Sequence, residues 1–327
     1  MPFRDQNPIL LGIVGDSGSG KSTLSAGIEM ILGKERVTDI CLDDYHRYDR
    51  AGRKAHGITA LNPECNHLEL MRQHLLLLRA GETIFKPVYD HSDGTFGPPE
   101  FVTPRQLVVV HGLLGLYTQP LKSAFHVSVF LDPDPDLRVQ WKISRDTAKR
   151  GYTPEQVRQQ LEHRRHDSET FILPQRGRAD LVVRFYPQPG YWQTRDNTRL
   201  NVRILQRHDV GGPDLESLLV EAARIACHGK RGRPCLYLEE YSTGGVEEAL
   251  YIDGSIPDEL AAEVEDTLWD QMPRVRHLRP EEIGVFDEGG VIRRSNSLAL
   301  TQLLVTYYLV RAAEVAREEL AASAAAS

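Results

Sequence analysis

The stretch Gly15-Asp16-Ser17-Gly18-Ser19-Gly20-Lys21-Ser22-Thr23 decides the fold of this chain. It fits the phosphate-binding pattern G-x-x-x-x-G-K-[ST]. The apolar run at residues 9–14 predicts a buried strand before it, and the amphipathic run at residues 24–32 predicts a helix after it. This strand–loop–helix context makes a Gly/Ser-rich surface turn the weaker interpretation.

The residue types of this loop suit a bound nucleotide. Glycines let the backbone wrap around phosphate oxygens because no Cβ intrudes, and the loop N–H groups form an anion site with the helix N-terminus. Lys21 would reach the outer phosphates, and the Ser22 hydroxyl would sit on Mg2+. The sequence therefore predicts that this protein binds a nucleoside triphosphate.

Composition narrows the class of protein. The 327 residues include 39 basic and 46 acidic side chains, and the resulting net charge of −7 does not suggest a nucleic-acid surface. The hydrophobic share of 41% is enough for a buried core. The four cysteines have no metal-like C-x-x-C spacing, and we recognise neither a signal peptide nor an apolar run long enough to span a bilayer. We therefore expect a reduced, cytoplasmic protein.

The first two thirds of the chain alternate predicted strands and helices. Short runs rich in Val, Ile and Leu, typical of a parallel sheet covered on both faces, predict strands at residues 9–14, 37–42, 107–110, 127–131 and 180–185. Helices are predicted at residues 68–80, which precede Gly81, and from Thr153, where Thr153-Pro154-Glu155-Gln156 forms a capping-box signature. Residues 1–200 are thus predicted to form an α/β domain of the P-loop type, with a mostly parallel sheet and flanking helices.

The pattern changes after a turn-rich segment near residue 190. Beyond it we predict strands at residues 202–206, 236–240 and 249–252, and helices at residues 215–228, 258–272 and 298–322. We interpret residues 201–327 as a smaller C-terminal α+β domain.

Charged residues follow the second predicted strand, at the carboxyl end where α/β proteins form their sites. Asp43 or Asp44 could orient or deprotonate an acceptor hydroxyl, and His46 lies beside them. A basic cluster follows, and guanidinium groups suit a phosphate ester because they form paired hydrogen bonds. The alternatives are a solvated acidic turn and an exposed charged loop. The cluster consists of Arg50, Arg53 and Lys54.

Two later segments add polar groups. Tyr89 and His91 could form hydrogen bonds with a sugar. Residues 142–151 carry four cations and Asp146 at the end of a predicted helix, a composition that fits a mobile basic lid over transferring phosphates. The alternative is a helix C-terminus that is rich in cations because of the helix dipole.

Together these segments resemble the phosphoribulokinase/uridine kinase family, and within it the dimeric phosphoribulokinases of plants, cyanobacteria and some archaea. The resemblance implies a homodimer that uses ATP and Mg2+ to phosphorylate the 1-hydroxyl of D-ribulose 5-phosphate. The matching positions are Arg164 and residues 15–22, 40–46, 49–54, 57–63, 86–94, 141–146, 171–175 and 236–272.

The resemblance also implies roles for the candidate residues. The general base would be Asp44, with Ser22 and Asp43 on the metal. The other catalytic groups would be Lys21, Arg145 and Asp146. The nucleotide would contact Gly15, Asp16, Ser17, Gly18, Ser19, Gly20, Lys21, Ser22, Thr23 and Arg150. The sugar phosphate would contact His46, Arg50, Arg53, Lys54, Tyr89, His91 and Arg164.

The chain departs from the family pattern at two informative positions. The family carries a Glu after the strand at residues 107–110, where this chain has His111, and a neutral imidazole is a poor Mg2+ ligand. The plant enzymes pair a P-loop cysteine with the cysteine at the position of Cys41, but here the P-loop residue is Ser19, so that disulfide cannot form.

Two other functions stay open at this point. One is a uridine/cytidine kinase or another small-molecule kinase, which would need neither the basic cluster nor the C-terminal part of the chain. The other is a nucleotide-binding protein with weak or no kinase activity, for which His111 is the main argument.

Overall fold

The computed structural model describes residues 7–206, 234–242 and 246–325, together with Pro213, Leu215 and Leu219. The strands are β1 (Ile9–Gly15), β2 (Val37–Cys41), β3 (Ile84–Asp90), β4 (Thr95–Val102), β5 (Leu107–Gly112), β6 (Val127–Leu131), β7 (Leu181–Tyr186), β8 (Asn201–Gln206), β9 (Leu236–Ser242), β10 (Val246–Ile252), β11 (Val285–Glu288) and β12 (Val291–Arg294). The helices are α1 (Lys21–Leu32), α2 (Arg50–His56), α3 (Leu68–Arg79), α4 (Gln119–Lys122), α5 (Pro135–Arg150), α6 (Pro154–Asp167), α7 (Tyr191–Thr194), α8 (Asp258–Asp270) and α9 (Asn296–Ala325).

Eight of the strands form one sheet in the order β2-β5-β1-β6-β7-β8-β10-β9. The first five run parallel, and the last three extend the sheet through antiparallel pairs. The prediction of a mostly parallel sheet with flanking helices is confirmed. Each predicted strand is present with bounds shifted by a few residues, but the helix expected at residues 215–228 lies largely outside the described residues.

The core lies on both faces of this sheet because successive side chains of a strand point to opposite sides. In β1, Ile9, Leu11 and Ile13 pack on the face that carries α1, α8 and α9. Leu10 and Val14 pack on the other face, with α3 and α4. Burial on both sides explains why the strand is apolar throughout and shows no alternation in sequence.

The C-terminal elements share the first of these two cores. Val202 of β8 and Leu303 of α9 belong to the same buried cluster as Ile28 of α1. At the centre of this contact, the side-chain amide of Gln302 donates a hydrogen bond to the Thr23 carbonyl at 3.2 Å. The boundary expected at residue 200 stays a prediction, but the sheet and this core continue across it.

Two hairpins were not anticipated from the sequence. Strands β3 and β4 pair antiparallel away from the main sheet, and β11 pairs with β12. The β3–β4 hairpin matters for function because it brings residues 86–94 against the turn that follows β2. None of the helices in the described ranges combines the length and apolar character that a membrane span requires.

Candidate active site

A cavity of about 1500 Å³ opens beside the carboxyl ends of β1, β2 and β5. Most of the predicted site residues line it, although they come from segments far apart in the chain. Four do not: Gly15, Asp16, Asp44 and Asp146. The predicted residues that line it are Ser17, Gly18, Ser19, Gly20, Lys21, Ser22, Thr23, Asp43, His46, Arg50, Arg53, Lys54, Tyr89, His91, Arg145, Arg150 and Arg164.

The phosphate-binding loop connects β1 to α1. Gly18 and Gly20 have φ angles of +82° and +95°, a region that favours glycine, and at Gly18 a Cβ would lie 2.8 Å from the Cβ of Lys142. The Lys21 ammonium donates hydrogen bonds to the carbonyls of Gly15 at 2.7 Å and Asp16 at 2.9 Å. The loop geometry and the N-terminus of α1 fit the phosphates of a nucleotide.

Burial dominates the electrostatics of Lys21. It lowers the pKa of the ammonium to about 8, against the smaller raising effects of Asp43 and Asp16. The Asp16 carboxylate is engaged elsewhere, because it pairs with Arg138 at 3.0 Å and accepts a hydrogen bond from the Ser168 hydroxyl at 2.5 Å. Gly15 and Asp16 thus hold the loop and Lys21 in place and do not line the cavity.

The two adjacent acids after β2 lie in different surroundings. Asp44 is buried, and its carboxylate accepts hydrogen bonds from the Lys86 ammonium at 2.5 Å and the Tyr89 backbone N–H at 2.8 Å. Asp43 is half-buried and lines the cavity. The geometry does not support our expectation that Asp44 is the general base, because its oxygens are occupied and it does not reach the cavity.

Asp43 keeps its charge in spite of partial burial. Burial alone would raise the pKa of this carboxyl, but His46, His91 and Lys21 together leave its pKa below the usual range. Its Oδ2 lies 3.8 Å from the Nε2 of His91. An ionised carboxylate on the cavity wall is the arrangement that an acceptor hydroxyl requires.

An aromatic cluster forms the wall next to Asp43. The ring of Tyr89 lies 5.0 Å from the ring of His46 and 5.0 Å from that of His91. Burial lowers the pKa of both histidines, against the opposite effect of the neighbouring Asp43 carboxylate. The Nδ1 of His46 lies 2.8 Å from the Oδ1 of Asn66, which orients the ring. Asn66 was missed from the sequence because it lies 20 residues away and carries no motif.

The predicted basic cluster divides into engaged and available cations. Arg50 donates to the carbonyls of His91 and Asp93, so it fastens the β3–β4 hairpin. Arg53 donates to the Tyr89 hydroxyl at 2.6 Å and lies 5.1 Å from the centre of its ring. Arg164 lines the cavity from α6. Its guanidinium forms no hydrogen bond or ion pair with any of the described residues. Lys54 is exposed at the rim.

Burial is the largest influence on Arg164. It lowers the pKa of the guanidinium, and the positive charge of Arg53 lowers it further. Two arginines that repel each other beside one cavity form a site that an anionic group would stabilise.

The predicted lid occupies the end of α5. Asp146 is fully buried, and its carboxylate pairs with Lys142 at 2.6 Å, Arg145 at 2.8 Å and Arg150 at 3.6 Å. Arg145 also donates to the Ser17 hydroxyl at 3.4 Å. Asp146 therefore positions the two arginines, which line the cavity above the phosphate-binding loop, and does not reach the cavity itself.

The His111 side chain is not arranged as a magnesium ligand. Its Nε2 lies 3.1 Å from Oδ2 of Asp39 on the neighbouring strand. The oxygens that fit Mg2+ are therefore the exposed Ser22 hydroxyl and the Asp43 carboxylate. This donor set is small, but Mg2+ usually binds one or two protein carboxylates together with substrate phosphates.

Comparison with known proteins gives a consistent result. The model of the "Phosphoribulokinase / Uridine kinase family" matches residues 10–189. The chain is 40% identical over 202 residues to a phosphoribulokinase of Synechocystis sp., covering 62% of this chain and 60% of that protein. It is 32% identical over 222 residues to the chloroplastic phosphoribulokinase of Triticum aestivum, covering 63% of this chain and 55% of the relative.

A more distant relative and a solved structure extend the comparison. A uridine kinase of Deinococcus deserti is 34% identical over 181 residues, covering 54% of this chain and 87% of that protein. The phosphoribulokinase structure from Rhodobacter spheroides superposes with a TM-score of 0.56 at 21% identity, covering 84% of this chain and 98% of the other, which shows a shared fold. The matches to the cyanobacterial and wheat relatives span less than two thirds of their length.

Proposed function

The chain belongs to the phosphoribulokinase / uridine kinase family, and from that premise we propose that it transfers the γ-phosphate of ATP to the 1-hydroxyl of D-ribulose 5-phosphate. The product is D-ribulose 1,5-bisphosphate. The proposal rests on one observation. The phosphate-binding loop and a second set of cations around Arg164 line the same cavity. An acceptor that already bears a phosphate explains this second set.

The two substrates use different residues of the cavity. The loop amides, Lys21 and the lid arginines Arg145 and Arg150 hold the ATP phosphates. Arg53 and Arg164 bind the phosphate of the sugar, because guanidinium forks match phosphate oxygens. His46, Tyr89 and His91 form hydrogen bonds with the sugar hydroxyls. Lys54 contributes positive charge at the rim.

Asp43 is the general base of this proposal. Its carboxylate orients the 1-hydroxyl and accepts its proton as the oxygen attacks the γ-phosphorus, and ADP leaves on the far side. Arg145 neutralises the charge on the transferring group. Mg2+, held by Ser22 and Asp43 with the nucleotide phosphates, would stabilise the developing negative charge. We also propose a homodimer, for which the family resemblance is the support, and a cytoplasmic location, for which the cysteine usage of the sequence is the support.

A second candidate function is that of a uridine kinase, and the similarity to the uridine kinase of Deinococcus deserti favours it. A nucleoside acceptor carries no phosphate, so it would leave Arg53 and Arg164 without a ligand. A nucleotide-binding protein with little activity is the third candidate, and His111 is the observation in its favour.

The test measures conversion of ATP to ADP with Mg2+ and D-ribulose 5-phosphate, uridine or no acceptor. We expect turnover with ribulose 5-phosphate alone. Asp43→Asn should remove it while ATP still binds, and Arg164→Gln should raise the KM for the sugar phosphate at least tenfold while the KM for ATP changes little. Turnover with uridine alone would identify a nucleoside kinase, and no turnover with any acceptor would favour the nucleotide-binding protein.

A further inference from the structure

Three side chains of different chemistry meet on the wall of the cavity. Cys41 ends β2, Asp43 lies in the turn that follows, and His91 follows β3. The Cys41 sulfur, one Asp43 oxygen and one His91 nitrogen all lie within 4.8 Å of one another. Within the described ranges this is the one group of three such residues arranged closely enough to hold a metal ion.

The cluster is open to solutes yet held in place. Cys41 and Asp43 are half-buried, His91 is exposed, and all three line the cavity. Arg50 donates a hydrogen bond to the His91 carbonyl at 2.9 Å, and the Tyr89 ring packs against the imidazole at 5.0 Å. Cys41 is a free thiol. A cation from solvent can therefore reach the three side chains, and the segment that carries His91 is fixed by contacts outside the cluster.

The donor types select the cation. Mg2+ prefers hard oxygen ligands, whereas thiolate and imidazole favour borderline-soft ions such as Zn2+. Zinc accepts sulfur, nitrogen and carboxylate oxygen together, and a site with three protein ligands leaves a fourth position open. Coordination would release the thiol proton to solvent, since thiolate is the form that binds metal.

We propose that Cys41, Asp43 and His91 form an inhibitory binding site for Zn2+ or a similar divalent cation. The inhibition follows because an ion held by Cys41 and His91 takes the Asp43 carboxylate away from both the acceptor hydroxyl and the Mg2+ that the reaction uses. This consequence rests on the proposed kinase function, whereas binding of the ion does not. The site gives the protein a response to free zinc that is distinct from its use of Mg2+.

Binding is tested with Co2+, which replaces zinc and absorbs light through thiolate-to-cobalt charge transfer. The full chain is titrated with Co2+ in the presence of excess Mg2+, and Zn2+ is then added to displace the cobalt. We expect a charge-transfer band with a cobalt stoichiometry near one. Cys41→Ser should abolish this band, and His91→Gln should weaken cobalt binding at least tenfold. Cys65→Ser, which removes the other free thiol of the described residues, is the matched control and should keep the band.

Two results would overturn the site. One is a wild-type protein with no charge-transfer band, and the other is a band that Cys41→Ser retains, since cobalt would then bind another cysteine. If Cys41→Ser does not fold, Cys41→Ala serves the same purpose.

Inhibition is tested separately, by ATP turnover at fixed Mg2+ and rising Zn2+. Each variant is compared with its own zinc-free rate. We expect wild type and Cys65→Ser to lose activity and to regain it with a zinc-selective chelator, and Cys41→Ser to need at least tenfold more zinc. Bound zinc without inhibition would overturn the inhibitory role. If no acceptor gives turnover, the proposed function fails, and the cobalt titration still decides whether the site exists.

Discussion

The Asp44 carboxylate and the Lys86 ammonium form a pair that is almost removed from water. The Lys86 side chain is 5% exposed and that of Asp44 is 11% exposed, and a second acid, Glu100, reaches Lys86 at 3.2 Å. Asp44→Asn leaves a buried cation with one partly exposed partner, so we expect the free energy of unfolding to fall by about 3 kcal/mol. Urea denaturation measures this loss.

Asp43→Asn is the matched variant. Among the described residues, the nearest ion-pair partner of its carboxylate is His91 at 3.8 Å, and the carboxylate lies on the cavity wall. Its loss should therefore change stability by less than about 1 kcal/mol while removing turnover. Equal losses of stability in the two variants would contradict the division of roles between these neighbouring acids.

Lys21 gives the nucleotide site a pH dependence. Its pKa of about 8 lies below the unperturbed value of 10.5, because the half-buried ammonium is largely removed from water within the loop. Bound phosphates favour the charged form of Lys21, so ATP affinity should be highest below pH 8. It should fall above that pH as the free enzyme loses the proton, by about tenfold per pH unit at most. Isothermal titration of ATP across this range is the measurement.

The titration of Lys21 affects folding stability in the opposite direction to ATP affinity. Because the folded pKa of Lys21 is depressed, the unfolded chain binds more protons between pH 8 and 10.5, and this group's contribution to stability rises with pH across that window. Lys21→Arg, whose guanidinium stays charged, serves as the control. An unchanged pH profile of ATP affinity in that variant would assign the titration to another group.

His111 stands beside Asp39 and offers magnesium no oxygen. His111→Glu should lower the Mg2+ concentration for half-maximal turnover by about five- to thirtyfold, the effect of about 1–2 kcal/mol of added attraction. The new charge would face Asp39, and burial and Asp39 already raise the pKa of nearby Glu29. We therefore also expect a loss of about 1 kcal/mol in stability.

A titration of turnover against Mg2+ checks the role of position 111. His111→Gln is the control, since it keeps a hydrogen-bonding side chain next to Asp39 without adding a carboxylate. An equal Mg2+ requirement in the Glu and Gln variants would show that position 111 does not act on the metal.

The end of helix α5 depends on one carboxylate. Three cations converge on Asp146, and one of them, Lys142, is 1% exposed. Asp146→Asn should therefore lower the free energy of unfolding by about 3–5 kcal/mol and reduce turnover, because Arg145 and Arg150 lose the group that positions them. Chemical denaturation and kcat are the two readouts.

The adjacent helix α6 supplies a matched control. Glu155 pairs with Arg158 at 3.7 Å, and both side chains are exposed. Glu155→Gln should cost less than about 1 kcal/mol. A small effect of Asp146→Asn, comparable to that of the control, would mean that the arginines keep their positions without this carboxylate.

The parallel strands could be predicted from sequence because burial on both faces leaves a continuous apolar run such as that of β1. The β3–β4 hairpin could not, since β4 lies exposed along most of its length and carries two prolines. The cavity residues could be assembled as a set from motifs. The different surroundings of Asp43 and Asp44 could not be predicted, because the short turn after β2 places the first side chain on the cavity wall and buries the second.

The C-terminal helix α9 reaches the nucleotide site through Gln302. This fully buried side chain donates to the Thr23 carbonyl and accepts a hydrogen bond from the Gly284 N–H at 2.9 Å. A Cβ on Gly27 of α1 would overlap the Gln302 amide. The packing of α1 against α9 therefore requires glycine at position 27, although alanine is the better helix former.

A double-mutant cycle tests this coupling across the molecule. In the wild-type background, Gly27→Ala should destabilise the protein by about 2 kcal/mol, because it overpacks the contact between α1 and α9. In a Gln302→Ala background the clash is gone, and the same change should stabilise the protein by up to about 1 kcal/mol through helix propensity. Thermal or urea unfolding of the four proteins measures the reversal of sign. The same destabilisation in both backgrounds would show that Gln302 does not determine how closely the C-terminal helix packs against the nucleotide-binding helix.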